Sequence, residues 1–320
     1  MKLSSLAKLA VCGAGAVCGV GVLVDDLLVH RKFELPEALK TVFSGTDMSE
    51  TRVMADDLTA WLENYGYERV YITNKAGHKL TGYLMRPAEP SDIYVFCSHG
   101  YRCNAKREFC GFVQYYLKRG CNVLLVDHRA AGESEGTYIG FGYYESQDSL
   151  QWLDYLNDTY GKDISIIIHG VSMGSATVML MSGNEALPEN VRFIVADCGF
   201  TSAWDEFEVK LQAMKIPTWP LLPFVNAVNK RVAGYDFKTD TDAVAAVKKA
   251  KVPMLFVHGT ADGFVPCDMV YQVYAACGSE YKDLMLVEGA QHAGSVVTDP
   301  LGYEAKLDEM MAKFVPQKAN

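Results

Sequence analysis

The chain has 320 residues, 49% of them hydrophobic, enough for one large domain or two small ones around a sizeable core. Lys and Arg number 30 against 39 Asp and Glu, for a formal charge of −9 with no long basic run, so a nucleic-acid partner is not expected. Nine cysteines are scattered without a CxxC or a Cys/His cluster at metal spacing, so neither a zinc site nor a disulfide framework is expected.

The N-terminal stretch carries no charge from Leu9 to Val24, with Lys2 and Lys8 before it and Asp25 and Asp26 after it. Its length falls between a signal-peptide core and a full membrane span. Residues 1–32 are therefore expected to be an uncleaved signal anchor. The lysine bias puts the N-terminus in the cytoplasm and the rest of the chain outside the cell membrane, although His30, Arg31 and Lys32 reduce that bias. Two alternatives stay open. One is a signal peptide cleaved after Ala14-Gly15-Ala16, giving a secreted protein. The other is a soluble Gly/Ala-rich helix on a cytoplasmic one.

Residues 33–66 read as a helical segment. Pro36 suits a first helical position, Ser49 suits an N-cap, and Leu58, Trp61, Leu62 and Tyr65 recur at helical spacing. "YERVYIT" and "KLTGYLMRP" flank "NKAGH" and predict a hairpin. From there apolar runs alternate with helical stretches: "IYVFCSHG", "NVLLVDHR", "ISIIIHG", "VRFIVADCG", "VPMLFVHG" and "KDLMLVEG" are the strands. Their near-continuous hydrophobicity is that of a parallel sheet covered on both faces, so residues 67–320 are expected to form one α/β domain. Residues at about 200–250 exceed an ordinary connection and are expected to form a small cap. Phe200, Trp204 and Trp219 are the candidate substrate-binding residues within it.

In open α/β sheets ligands bind at the carboxyl ends of the strands. There, Gly170-Val171-Ser172-Met173-Gly174 is a G-x-S-x-G pentapeptide between a predicted strand and a predicted helix. That is the context of a nucleophile elbow, in which a serine is exposed on a strained turn. An activated serine needs a base and an orienting carboxylate, in the chain order Ser, acid, His. Only His258 and His292 follow Ser172; His258 ends a strand, whereas His292 opens the loop after the last strand and is the candidate base. Asp262, in "HGTADGFVP", is the candidate acid, with Asp197 of "VADCG" as its rival. The backbone N–H groups of Met173 and Tyr101 are the candidate oxyanion donors. His99 is expected to shape the loop before Tyr101, and "DHRAAGESEG" to form a structured turn near the site.

The motifs "HGY" (99–101), "DHRAAGESEG" (127–136), "GVSMG" (170–174), "HGTADGFVP" (258–266) and "GAQH" (289–292) together resemble the α/β-hydrolase superfamily over residues 67 to 315. The segments "YIGFGYYESQD" and "ADCGFTSAWDEF" are most similar to bacterial membrane-anchored serine-aminopeptidase-like and esterase-like members. The resemblance implies an α/β-hydrolase fold, an eight-stranded mostly parallel sheet with helices on both faces. It also implies a Ser-His-Asp hydrolase that needs no cofactor or metal. Related turns often carry Gly-His where this chain has Ala130-Ala131. A serine nucleophile counts against the dehalogenases and lactone hydrolases of this fold.

The expected function is a serine hydrolase that cleaves small-molecule carboxylic esters through an acyl-enzyme. A peptidase or amidase of the serine-aminopeptidase type would use the same residues. A non-catalytic envelope binding module on the same scaffold is the reading from a different class.

Overall fold

The apolar runs of the sequence become strands without a solvent face. In the computed structural model, which describes residues 23–31 and 49–316, β4 (Asn122–Val126) and β5 (Ser165–Val171) are buried at every position. The other strands are β1 (Glu68–Thr73), β2 (Lys79–Met85), β3 (Ile93–Ser98), β6 (Val191–Asp197), β7 (Met254–Gly259) and β8 (Lys282–Val287). They form one eight-stranded sheet in the order β1-β2-β4-β3-β5-β6-β7-β8. The β1–β2 and β2–β4 pairs are antiparallel and all later pairs are parallel. This is the α/β-hydrolase fold, as expected from the motifs.

Successive strand residues point to opposite faces and so feed two cores. Tyr94 and Phe96 of β3 and Ile166 and Ile168 of β5 join one layer, Val95, Cys97 and Ile167 the other. The first layer includes the helices Tyr143–Tyr160 and Met173–Ser182, through residues such as Trp152, Leu156 and Met179. The second is covered by the helices Ala105–Lys118 and Pro300–Phe314, through Phe109, Tyr116, Tyr303 and Leu307. Ser49–Tyr65 is helical and contributes Leu62 to that layer; the expected start of this segment near Pro36 lies outside the described residues.

Between β6 and β7 the chain inserts three helices, Ala203–Ala213, Thr218–Val232 and Ala243–Val247. The first is started by Ser202, whose hydroxyl accepts from the Asp205 N–H at 3.0 Å. In the second, Trp219 departs from helical dihedrals (φ −91°, ψ 134°).

The N-terminal segment departs from expectation at its end. Most of the uncharged stretch lies outside the described residues, but residues 23–29 are helical and belong to the body. Leu28 and Val29 are buried in the first core layer, and the chain then pairs with the turn at Thr137–Ile139: Ile139 N–H donates to the Val29 carbonyl at 2.7 Å and Arg31 N–H to that of Thr137 at 2.9 Å. An anchor drawn through residue 32 therefore overruns into the folded domain. Among the described residues no helix is long and apolar enough to cross a membrane.

Asp25 is a consequence of this docking. It is 1% exposed, and neither carboxyl oxygen has a hydrogen-bond partner among the described residues. Burial, with Asp26 beside it, pushes its pKa up from 3.8 to about 7. An acid raised in the folded state is destabilising once it must ionise: stability is full below pH 3.8, falls as pH rises toward 7, and stays low above it. The loss is about 4 kcal/mol as an upper bound. Asp25→Asn should therefore raise Tm, and by more at pH 8 than at pH 5. An equal gain at both, in paired thermal melts, would show that this carboxyl is not held neutral.

Candidate active site

Strand β5 ends in a turn that only small residues can make. Ser172 sits at φ 57°, ψ −120°, a region a non-glycine residue occupies only under constraint. A Cβ on Gly170 would lie 2.2 Å from the Gly174 carbonyl oxygen, and one on Gly174 would lie 1.8 Å from that of Ser98. Both positions therefore require glycine. The Ser172 N–H donates to the Asp197 carbonyl at 2.9 Å, which ties the elbow to the end of β6.

The loop after β8 carries His292 over this turn. Its Nε2 is 2.9 Å from Ser172 Oγ and its Nδ1 is 2.8 Å from Asp262 Oδ2. A carboxylate only accepts, so Nδ1 carries the proton toward Asp262 and Nε2 is left to accept from the serine hydroxyl. Asp262 is itself fixed: its Oδ1 accepts from the Phe264 N–H at 2.8 Å and the Val265 N–H at 2.9 Å. His258 Nε2 lies 3.3 Å from Asp262 Oδ2 and 3.0 Å from the Val265 carbonyl oxygen. Burial opposes charge on Asp262, but the bonds from His258 and His292 outweigh it and hold the carboxyl well below its ordinary range. The Phe264 ring packs 4.7 Å from that of His292.

Asp197 is placed differently. One oxygen accepts from Tyr303 Oη at 2.9 Å, and the other has no partner among the described residues. Burial pushes its pKa up to about 7 against the pull of the tyrosine hydroxyl. It faces the buried Tyr303–His169–Tyr116 chain, with contacts of 3.2 and 2.9 Å.

The loop after β3 passes beside the elbow. A Cβ on Gly100 would come within 3.3 Å of Ser172 Cβ, so the Gly100 backbone borders the serine. His99 is fully buried, with Nδ1 2.8 Å from the Gly100 carbonyl and Nε2 accepting from the His128 N–H at 3.0 Å. It shapes this loop and does not reach Ser172. The Tyr101 hydroxyl donates to the Leu28 carbonyl at 2.7 Å, and Arg102 donates to those of Leu27 and His30. Met173 opens the helix after the elbow, where the first N–H groups have no partner within the helix. The "DHRAAGESEG" turn is built on Asp127, which accepts from the Ala105 and Glu133 N–H groups and the Tyr83 hydroxyl. Arg129 is paired with Asp148 at 2.6 Å, and Ala130 takes φ 60° in place of the glycine common in such turns.

The three aromatic candidates of the insertion sit in three different settings. Phe200 is in the core, Trp204 packs partly buried under Lys238, and Trp219 is 75% exposed. Phe207 lines an apolar cavity of about 160 Å³ between the insertion and residues 24–28. Sequence reasoning missed Glu206 and Lys210. They read as an exposed i,i+4 pair on a helix, yet both are 4% exposed and 2.9 Å apart. Lys210 donates to the Phe264 carbonyl and lies over the Phe264 ring, so the pair abuts the residue that packs on His292. Cys198, Asp262 and His292 offer metal-type donors within 4.8 Å of one another. The Cys198 thiol is pushed well above its ordinary value by burial, and Asp262 is already saturated, so the set is built for hydrogen bonding rather than ligation.

Comparison with known proteins agrees with this architecture. Residues 95–229 match the family model described as alpha/beta hydrolase fold. An uncharacterised Bacillus subtilis protein, YqkD, is 26% identical over 92% of this chain and 93% of its own. Mouse monoglyceride lipase is 22% identical over 72% of this chain and 85% of its own. An esterase of Pyrococcus furiosus superposes with a TM-score of 0.65 at 23% identity, over 82% of this chain and 94% of that one. The chain thus shares the α/β-hydrolase fold, with residues 95–229 matching the family model and the esterase superposing over most of this chain.

Burial raises the pKa of Glu206 even against the Lys210 charge, so either partner alone would be poorly tolerated. Lys210→Ala should cost about 3–5 kcal/mol in chemical denaturation, because it strands a buried carboxylate. Replacing both, as Glu206→Leu with Lys210→Met, should recover most of that loss. A double variant as unstable as the single one would mean that the pair's charges are not the origin of the cost.

Proposed function

We propose that this protein is a serine hydrolase of carboxylic esters. The reading rests on one observation: the unbroken chain Ser172 Oγ–His292 Nε2–His292 Nδ1–Asp262 Oδ2, with contacts of 2.9 and 2.8 Å. His292 takes the serine proton as Oγ attacks the ester carbonyl, and Asp262 stabilises the imidazolium that forms. The N–H groups of Met173 and Tyr101 hold the oxyanion. His292 then protonates the departing alcohol, leaving an acyl-serine. A water, activated by the same histidine, releases the acid and restores Ser172. The insertion between β6 and β7 serves as the cap over this site, and the uncharged stretch upstream of residue 23 holds the domain at the cell membrane. The names of two similar proteins, a lipase and an esterase, support ester over amide substrates.

Labelling with a fluorophosphonate probe, which needs an activated serine, tests the nucleophile. Wild type should label and Ser172→Ala should not; labelling of the alanine variant would reject Ser172. Asp262→Asn should lower kcat about 10⁴-fold by misorienting the histidine. Asp197→Asn should cost far less, and the opposite ranking would transfer the acid role to Asp197. Turnover of aminoacyl amides above that of matched esters would make the enzyme an amidase.

A further inference from the structure

A polar cavity of about 170 Å³, distinct from the apolar one, lies against the turn that carries the candidate oxyanion donors. Met173, the residue after the nucleophile, and His99, the residue before Gly100, are both on its wall. Because the Gly100 backbone borders Ser172, the cavity begins one residue away from the serine's surroundings on either side. Its charge is opposite to that of the molecule. The whole chain carries −9, yet Arg31, Arg102 and Arg129, from three separate segments, line this space with no carboxylate among the described lining residues. The wall histidines, His99 and His128, are held below the ordinary imidazole pKa by burial and are neutral near pH 7, so the arginines supply the charge.

These guanidinium groups are fixed in place but not used up. Arg129 is 8% exposed; its Nε and Nη2 each donate to one oxygen of Asp148 at 2.6 Å, and it lies 4.4 Å over the Tyr144 ring. A fork engaged in this way keeps both N–H groups of Nη1 for another acceptor. Arg31, at the exposed edge, donates from Nη1 to the Ser134 carbonyl and from Nη2 to that of Gly132. That leaves its Nε–H and one N–H on each terminal nitrogen. Carbonyl partners orient the Arg31 guanidinium without neutralising it, whereas Asp148 balances Arg129. A concavity lined by one sign of charge concentrates ions of the other. Arginine forks match oxyanions with several oxygens, phosphate above all. The size agrees: a cavity of about 150 Å³ takes benzene, so this one takes a phosphate group and a water.

We propose, building on the esterase reading, that this arginine-lined cavity is a phosphate subsite and that the substrate is an ester carrying a phosphate a few bonds from its carbonyl. With the carbonyl oxygen at the Met173 N–H, the phosphate enters the cavity that the same residue borders. Arg129 receives it from the inside and Arg31 from the mouth. The phosphate is a handle and does not react: Ser172 cleaves the ester bond, and no bond to phosphorus breaks. Charge-assisted hydrogen bonds to the two guanidinium groups favour such an ester over its neutral counterpart by at least about tenfold. Inorganic phosphate offers the same oxygens, so the two sources have to be told apart by measurement.

The test uses the full-length chain at fixed ionic strength, which keeps general screening constant. Calorimetry with inorganic phosphate should show saturable binding by wild type. Arg31→Gln removes the charge at the mouth, and Ala131→Glu sets a carboxylate on the wall. Each should weaken phosphate binding at least about tenfold. The second variant keeps the bonds from Arg31 to Ser134 and Gly132, so it guards against a fold disturbed by their loss. No phosphate binding by wild type, or binding unchanged in both variants, would overturn the subsite whether or not any ester is turned over. The source is read from kcat/KM for 1-butyrylglycerol 3-phosphate against 1-butyrylglycerol. Wild type should prefer the phosphorylated ester at least about tenfold, inorganic phosphate should compete with it, and both variants should lose the preference. Equal kcat/KM for the two esters, with phosphate still bound, would overturn the substrate assignment and leave a site for the free anion. Phosphate binding with neither ester cleaved and no fluorophosphonate labelling of Ser172 would overturn only the esterase reading.

Discussion

The site depends on one close approach, that of the Gly174 backbone to the Ser98 carbonyl. With a Cβ there the contact would be 1.8 Å, so nothing but glycine lets the helix after β5 start directly against the end of β3. That approach does two things at once. It forces Ser172 into a dihedral region that aims its hydroxyl out of the sheet, and it brings the loop after β3 alongside. The backbone of Gly100 then borders the serine because β3 and β5 are paired up to Ser98 and Gly170. The strain at Ser172 is held by the long register of parallel hydrogen bonds on both sides of β5 rather than by any single contact.

Two carboxylates lie at the ends of neighbouring strands, Asp197 as the last residue of β6 and Asp262 in the loop after β7, and their surroundings drive them in opposite directions. Asp262 receives two backbone N–H groups on one oxygen and two imidazoles on the other, so its charge survives burial. Asp197 receives one tyrosine hydroxyl and leaves an oxygen without a partner, so burial favours its neutral form. A carboxylate that is to stabilise an imidazolium has to stay ionised, and only the first environment ensures it. The difference lies in the loop after β7, where the turn at Gly263 folds the chain back so that Phe264 and Val265 present their N–H groups to the side chain two and three residues earlier.

Much of this was legible in the sequence because chemistry and turn geometry are concentrated in contiguous motifs. The elbow pentapeptide, the strand-ending loops and the alternation of apolar runs are local signals, and all eight strands follow from them. What stayed hidden depends on contacts between distant segments. Glu206 and Lys210 have the spacing of a solvent-exposed helical pair, and only the packing of their helix against the Phe264 loop buries them. Trp219 looks like a core or ligand-binding aromatic, but the departure from helical dihedrals at that residue turns it outward. Residues 23–31 looked like the tail of an apolar segment flanked by aspartates, and nothing local says that Asp25 goes into the interior.

That last segment changes how the loop beside the serine is held. A short loop after a strand would ordinarily be ordered by its own turn. Here the Tyr101 hydroxyl and the Arg102 guanidinium are both spent on carbonyls of Leu27, Leu28 and His30, and Tyr101 is stacked on Phe141 behind them. Arg31, at the end of the same segment, bonds the carbonyls of Gly132 and Ser134 in the turn after β4. The loop beside Ser172 and the turn after β4 are thus both stitched to a stretch that precedes the whole sheet in sequence. Displacing the stretch would release both at once. The order of the candidate oxyanion loop is therefore linked, through three hydrogen bonds of about 1 kcal/mol each, to whatever holds the N-terminus in place.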